Sequence, residues 1–516
     1  MLRHVLPWLI ACLCLLAGCG SQTPDDPFAR DVPPAALYDP GAYTVQDLWV
    51  DPTNGQDTRT GATRALALRT VNEAWGRIPV SATLATGYRL RLCAGTYPRD
   101  ALPYYWENRR GTQQHPIILE AADAPGSALF QGDLNVFACS YLYLRNFALV
   151  PNPPGDVLHL ERCHHVWVTG MRLNGGGAAQ ETIKANQSHH LYLDSSEISG
   201  ACENCIDYVA VHHSSIVNNR LHDGGDWIMY VKGGSAYIRV EGNELYNGGT
   251  GGFSAGQGTG FEFMRAPWLH YEAYDVKFIN NVVHDTEGAG MGVNGGYNVL
   301  LAYNTLYRVG SRSHAIEVVH GLRSCDGNVP RARQLLALGG WGTTSRTGQR
   351  IPCRNVFIYN NVLYNPPGFR SQWGHFSVHG PSRPGAGTNI PSPSRCDTNL
   401  RIRGNIIWNG PADLALGLGG DGEGGQAANP TCNPTLVRAQ NAINTIRPQL
   451  IDPAGGNFRP KPGGNVAHYV AQSIPDYTWS DAPHPPTVPQ GTLGNRVTTN
   501  REGAARPATG DHPGAY

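Results

Sequence analysis

The stretch HDGGDWIMYVKGG, His222 to Gly234, sets two carboxylates, Asp223 and Asp226, in a glycine-rich turn ahead of an apolar run that ends on Lys232. Matching it to AGMGVNGG downstream phases the alternation: Met229 and Val231 face inward with Met291 and Val293, and Tyr230 and Lys232 face outward. An amine beside a carboxylate-bound cation is equipped to abstract a proton alpha to a carboxyl group. The cation would stabilise the enolate-like intermediate, and a nearby Tyr230, Arg308 or His320 would assist the departing oxygen. The plainer reading of Lys232 is a solvated surface amine.

Other groups gather at equivalent places. Asp223 and Asp226 share a turn, Glu262 lies one repeat on, and HDTEGAG adds Asp285 and Glu287. Hard oxygen ligands on neighbouring repeats suit Ca2+, whereas carboxylates before glycine also serve turns by bonding their own backbone. A polar column follows Lys232 through Gln257, Asn294, His320 and His379. YRVGSRSHAIEVVHG packs Arg308, Arg312, His314, Glu317 and His320 together, for carbohydrate contact, acid catalysis or a salt-bridged turn. FEFMRAPWLHYEAYDVKF interrupts the pattern with Trp268, His270, Tyr271 and Tyr274, an aromatic flap of a kind that stacks on sugar rings. A second interruption, Leu322 to Pro352, leaves the same region, and both are expected to wall a groove.

The elements that carry these residues are short strands. One phrase recurs, including SSIVNNRLHD, YIRVEGNELYN, DVKFINNVVHD, NVLLAYNTLYR, NVFIYNNVLYN and NLRIRGNIIWN. Its polar position falls on Asn146, Gly170, Ser196, Asn219, Asn243, Asn281, Asn304, Asn361 and Asn405, with apolars alternating on either side. A unit of about 24 residues cannot bury its own face, but stacked units share one core.

This pattern resembles the right-handed parallel β-helix of the pectate-lyase-like superfamily, across roughly residues 45 to 460. The resemblance implies an all-β fold of three-strand coils with an N-terminal capping helix. It also implies an asparagine ladder through Asn219, Asn243, Asn281, Asn304, Asn361 and Asn405, and a substrate groove on the strand that ends at Lys232. GDWIMYVKGG is similar to the strand of chondroitinase-B-like and alginate-lyase-like enzymes whose acidic residue binds calcium and whose lysine is the base. Lys232 takes the base position there. Asp226 stands one residue further from the lysine than that family's carboxylate, and GGFSAGQGTG replaces its Arg-His-Gly motif, so Arg265, Arg308 or Arg312 would have to stand in. The resemblance implies a lyase that cleaves a uronate-containing polysaccharide by β-elimination. Its alternatives are a glycoside hydrolase using Asp223 and Asp226, or Asp285 and Glu287, and a non-catalytic glycan-binding protein.

The ends bear on location. MLRH, an apolar run and Leu16-Ala17-Gly18-Cys19 resemble a bacterial lipoprotein signal, residues 1–19, which implies a lipid on Cys19 and export to the envelope, at the outer membrane. Residues 20–44 read as a linker, 45–460 as the repeat domain, and 461–516 as a Pro/Gly-rich tail with little expected order. Lys plus Arg equals Asp plus Glu at 40 each, so no global field favours nucleic acid. A monomer is expected. Nine cysteines remain after Cys12, Cys14 and Cys19, and pairing is expected within Cys139/Cys163, Cys202/Cys205, Cys325/Cys353 and Cys396/Cys432.

Overall fold

The protein is described by a computed structural model over residues 37–151, 155–385, 388–419, 429–477, 494–507 and 510–516. Its strands stack into three parallel ladders, the all-β helix expected from the repeat. The first ladder has twelve strands, from Val45–Val50 to Arg401–Arg403. The second follows each asparagine turn and includes Arg220–Gly224, Glu244–Gly248, Val282–Thr286 and Thr305–Val309. The third includes Leu158–Glu161, Trp227–Lys232, Gly251–Gly256, Ala289–Asn294 and Ile316–Val319. Arg172–Asn186 and Glu197–Val209 run through the corner between the second and third ladders and join them into one sheet.

Apolar residues alternate because one face of every strand meets the shared interior. Leu221, Met229, Val231, Leu245, Phe253, Met291 and Val293 belong to that single core. The asparagine ladder closes it at one corner. Asn243 Oδ1 accepts from the N–H of Asn219 at 2.8 Å and from its Nδ2 at 3.0 Å, and the pattern repeats through Asn281, Asn304, Asn361 and Asn405 to Asn441. Each amide also donates to a carbonyl of the preceding coil, such as Asn281 Nδ2 to Val240 O at 3.0 Å. Every rung from Asn219 to Asn405 is buried, so the ladder satisfies polar groups that water cannot reach. Two expected rungs are displaced. Asn146 and Gly170 sit at φ 61° and 63°, in the left-handed turn one residue ahead of the ladder, where later coils place Asn218 and Asn280.

The helix Val71–Gly76 caps the first coils, with Thr70 Oγ1 accepting from Glu73 N at 3.1 Å and Trp75 packed edge-on against Trp106. The tail is more ordered than its composition implied. Lys277 Nζ donates to Gly494 O at 2.6 Å, Asn280 Nδ2 to Thr499 O at 2.8 Å and Ala515 N to Thr305 Oγ1 at 3.0 Å, so its described parts lie along the coils. The nine described cysteines are free thiols, and all but Cys202 are buried. They pack as small apolar groups, and the expected pairings are not formed. The signal segment and Cys19 lie outside the described residues, among which no helix is long and apolar enough to cross a membrane.

Candidate functional site

The third ladder's outer face carries the expected chemistry, with a different set of neighbours. Strand pairing places Glu181, Asn204 and Trp227 in one column; Lys184, Asp207, Tyr230 and Ser254 in the next; and Asn186, Val209 and Lys232 in a third. Tyr230 packs outside the main core, as the alternation required, and Trp227 joins it there because the alternation breaks at Ile228, which is buried in the core beside Met229.

Asp207 is the hub of this surface. It is fully buried; Oδ2 pairs with Lys184 Nζ and lies 3.7 Å from Lys232 Nζ, and Oδ1 has no hydrogen-bond partner. Lys184 Nζ is also 3.6 Å from Glu181. Burial works against the charge on Lys184, but Asp207 outweighs it and holds the amine above its ordinary range. Burial and the Asp207 charge push Glu181 the other way, up to about 8, so it carries its proton through neutral pH. Desolvation also raises Asp156, which lies 3.4 Å from His159. The arrangement sets two lysine amines on one buried carboxylate, with Lys184 the more tightly paired.

Lys232 is less committed than Lys184. Its Nζ donates to Tyr230 Oη at 3.1 Å and stands 3.7 Å from Asp207, although its side chain is the less exposed of the two, at 14 % against 22 %. Burial, then the charges of Asp207, Glu181, Asp226 and Glu203, hold the Tyr230 phenol far above its ordinary range, so it is a neutral proton donor. Trp227 lies across the neighbouring coils. A Cβ on Gly251 would come within 2.4 Å of its ring, and one on Gly292 within 3.3 Å, so only glycine accommodates the indole at the nearer place. Beyond it, the Asn294 amide bridges Ser254 Oγ at 3.1 Å and Glu317 Oε1 at 3.2 Å. Burial raises Glu317 to about 7.

A buried ion pair positions the turn after Lys232. Glu272 Oε2 accepts from Gly233 N at 3.0 Å and from Thr259 Oγ1 at 2.6 Å, while its Oε1 lies 2.6 Å from Arg323 Nη2. Both side chains are fully buried, and Arg323 also donates to Trp341 O at 2.6 Å. The two insertions are thereby tied to the strand that carries the lysine. Sequence reading missed Glu272 and Arg323, because nothing in the repeat relates them.

Several expected groupings do not form. Strand register pairs Lys232 with Gly256, Asn294 and then Val319, so Gln257 and His320 stand one residue outside that column. Gln257 Oε1 bonds the next backbone N–H, at 2.6 Å from Gly258 N. His320 is buried against His379, with ring nitrogens 3.2 Å apart, three coils or roughly 14 Å from Lys232 at the strand spacing. Arg308 pairs with Asp285 at 2.8 Å and Arg312 with Glu287 at 2.5 Å, the salt-bridged alternative. His314 is buried against Trp373.

The five carboxylates also disperse. Asp223 bonds His222 at 2.7 Å and Asn247 at 2.9 Å, and Glu262 accepts the backbone N–H groups of Asp326 and Asn328 at 3.0 and 2.9 Å. With Asp285 and Glu287 held by arginines, Asp226 alone remains beside the lysines, and the set does not converge as calcium ligands. The aromatic flap is a satellite core. Trp268, Tyr271 and Tyr274 are buried together with Tyr237, Tyr297 and Trp341, and His270 packs edge-on to Trp341, so these rings do not face a groove.

Residues 157–328 match the family model described as "Right handed beta helix region". Among solved structures, the chain is similar to a rhamnogalacturonan lyase, at 12% identity over 70% of this chain and 87% of that one, with a TM-score of 0.45. It is similar to the pectate lyase Pel9A at 13% identity, over 86% and 96%, with a TM-score of 0.39. It is also similar to the Azotobacter vinelandii mannuronan C-5 epimerase AlgE6 A-module at 12% identity, over 65% and 88%, with a TM-score of 0.38. No curated protein sequence matches this chain.

Proposed function

We propose that this right-handed parallel β-helix is a polysaccharide lyase that cleaves a uronate-containing glycan by β-elimination, with Lys232 as base. The observation that carries the reading is the 3.1 Å contact between Lys232 Nζ and Tyr230 Oη on the outer face of the third ladder, beside Lys184 and Asp207. The sugar carboxylate would lie over Lys184, whose charge supplies the stabilisation that a metal ion gives elsewhere. The Lys232 amine would take the C5 proton. The C5–H electron pair forms the C4–C5 double bond, the C4–O4 bond breaks, and Tyr230 protonates the leaving oxygen. The lysine ammonium then returns a proton to the tyrosinate across the same contact, which resets both groups.

Base and acid stand on one face of one strand, so elimination is syn. A syn reaction requires the C5 hydrogen and the C4 oxygen on the same side of the ring, as in mannuronate- and glucuronate-configured residues with an equatorial O4. Polygalacturonate, whose O4 is axial, fits poorly.

The test is to incubate the full protein with polymannuronate, glucuronate-containing glycosaminoglycan and polygalacturonate and to follow absorbance of the unsaturated uronide. Absorbance from the first two, insensitive to chelator, supports the reading. New reducing ends without absorbance would mean hydrolysis, and no product from any substrate would favour glycan binding without catalysis.

The proposal extends to location, with the mature chain tethered to the outer membrane through lipid on Cys19 as a monomer. An intact mass of the detergent-extracted protein that lacks residues 1–18 and carries acyl groups would support it. An unprocessed or unmodified N-terminus would contradict it.

A further inference from the structure

Three consecutive coils begin their first-ladder strands with paired histidines: His164-His165, His189-His190 and His212-His213. Register stacks His164, His189 and His212 in one column and the second members in the next. His165 and His190 stack with centroids 4.5 Å apart, and His164 and His189 at 5.0 Å. Within a coil the two rings stand nearly perpendicular, at 82° and 79°, and their Nδ1 atoms face each other at 3.0 Å in His164-His165 and 2.9 Å in His189-His190.

Backbone geometry does not demand histidine here. The second histidines sit at φ 52°, 54° and 52°, and the same column downstream holds Asn298, Asn355 and Asn399 at φ 57°, 55° and 50°. Those asparagines bond one another at 2.8 and 2.9 Å. Asparagine tolerates left-handed backbone through local hydrogen bonding, whereas an ordinary residue there costs roughly 1–2 kcal/mol. Six imidazoles in place of that ladder gather nitrogen donors at one corner of the solenoid.

We propose that His165, His189 and His190, flanked by His164, bind one divalent transition-metal ion of the imidazole-preferring class, copper(II) ahead of nickel(II) and zinc. The ligand atoms of His165, His189 and His190 all lie within 4.8 Å of one another. Two nitrogens 2.9 Å apart subtend about 90° at an ion roughly 2.0 Å from each, the cis angle of tetragonal copper(II) or nickel(II). Tetrahedral zinc requires the pair to open by several tenths of an ångström. In the metal-free pair one Nδ1–H donates to the other Nδ1. On binding, that proton moves to Nε2 of its own ring, both Nδ1 lone pairs face the ion, and the protein's net charge is unchanged. An all-imidazole set disfavours calcium and magnesium, which take oxygen. This site is separate from Lys232 and does not rest on the lyase reading.

The test uses the full protein, stripped with chelator and titrated with copper(II) chloride by calorimetry and electron paramagnetic resonance. One ion per chain with superhyperfine coupling from several imidazole nitrogens is expected. His190→Asn keeps the residue type that later coils use at left-handed φ, and should weaken binding about 100-fold or more. His189→Asn, in the column without left-handed backbone, should do the same if the first variant does not fold. His222→Asn, in another ladder, should leave affinity unchanged. No saturable binding, or undiminished affinity in the His189 and His190 variants (an adventitious ion only), would overturn the proposal.

Discussion

Lys232 Nζ lies 3.1 Å from Tyr230 Oη, two positions back on the same strand. A strand repeats its facing every second residue, so the two groups share the outer surface while Val231 between them is buried in the core. Tyr230→Phe removes the phenol and keeps the ring. Lyase turnover is expected to fall by roughly 10²–10⁴-fold with little change in melting temperature. Steady-state kinetics beside a thermal melt checks this, and full activity in the variant would remove the tyrosine from the reaction.

Asp207 holds the lysines from inside. Asp207→Asn takes the closest carboxylate from the part-buried Lys184, which keeps only Glu181 at 3.6 Å, and a loss of roughly 1.5–3 kcal/mol is expected from urea unfolding. Adding Lys184→Met should return part of that loss, because the stranded charge is then gone. A double variant as unstable as the single one would mean the pair is not the source of the effect.

Glu181 sets a pH dependence with a definite sign. Its pKa rises from 4.5 to about 8 on folding, so between those values the native state holds a proton that the unfolded chain has released. The stability it contributes is fully present below about 4.5 and is lost as pH rises through 8, with a slope of at most about 1.4 kcal/mol per unit. Glu181→Gln should flatten the plot of urea midpoint against pH from 5 to 8. Parallel plots for the two proteins would contradict the assignment. Glu317, raised to about 7, acts in the same direction over a narrower window.

The insertion clamp predicts an effect on the site from outside it. Arg323→Met leaves the Glu272 carboxylate buried and unpaired, at roughly 3–5 kcal/mol, and loosens the turn at Gly233. Glu272→Gln with Arg323→Met should recover stability more than activity, since a neutral amide cannot hold Gly233 N and Thr259 Oγ1 as the carboxylate does. Equal recovery of both would make the clamp purely structural.

The fold was legible because the asparagine rung recurs with its apolar flanks, and the early rungs slipped by one because Asn146 and Gly170 suit a left-handed turn as well as a ladder. Tyr230 and Lys232 were legible from alternation against Met291 and Val293. Lys184, Asp207 and Glu181 were not, because they sit in long strands and no glycine follows ETIKAN or NCIDYV as Gly233-Gly234 follows Lys232. Setting ETIKAN and NCIDYV under WIMYVK would have exposed the column. Trp268 and Tyr271 misled because an aromatic ring serves a buried cluster as readily as a sugar platform. Arg308 and Arg312 looked available because sequence does not show that Asp285 and Glu287 already hold them.

The most direct measurement is ultraviolet absorbance of unsaturated uronide released from polymannuronate by the wild-type protein and by Lys232→Ala. The account predicts a steady rise for the wild type and a fall of at least about 10²-fold for the variant, whose melting temperature is unchanged. Undiminished product from Lys232→Ala, or no unsaturated product from the folded wild type on any uronate polymer, would contradict it.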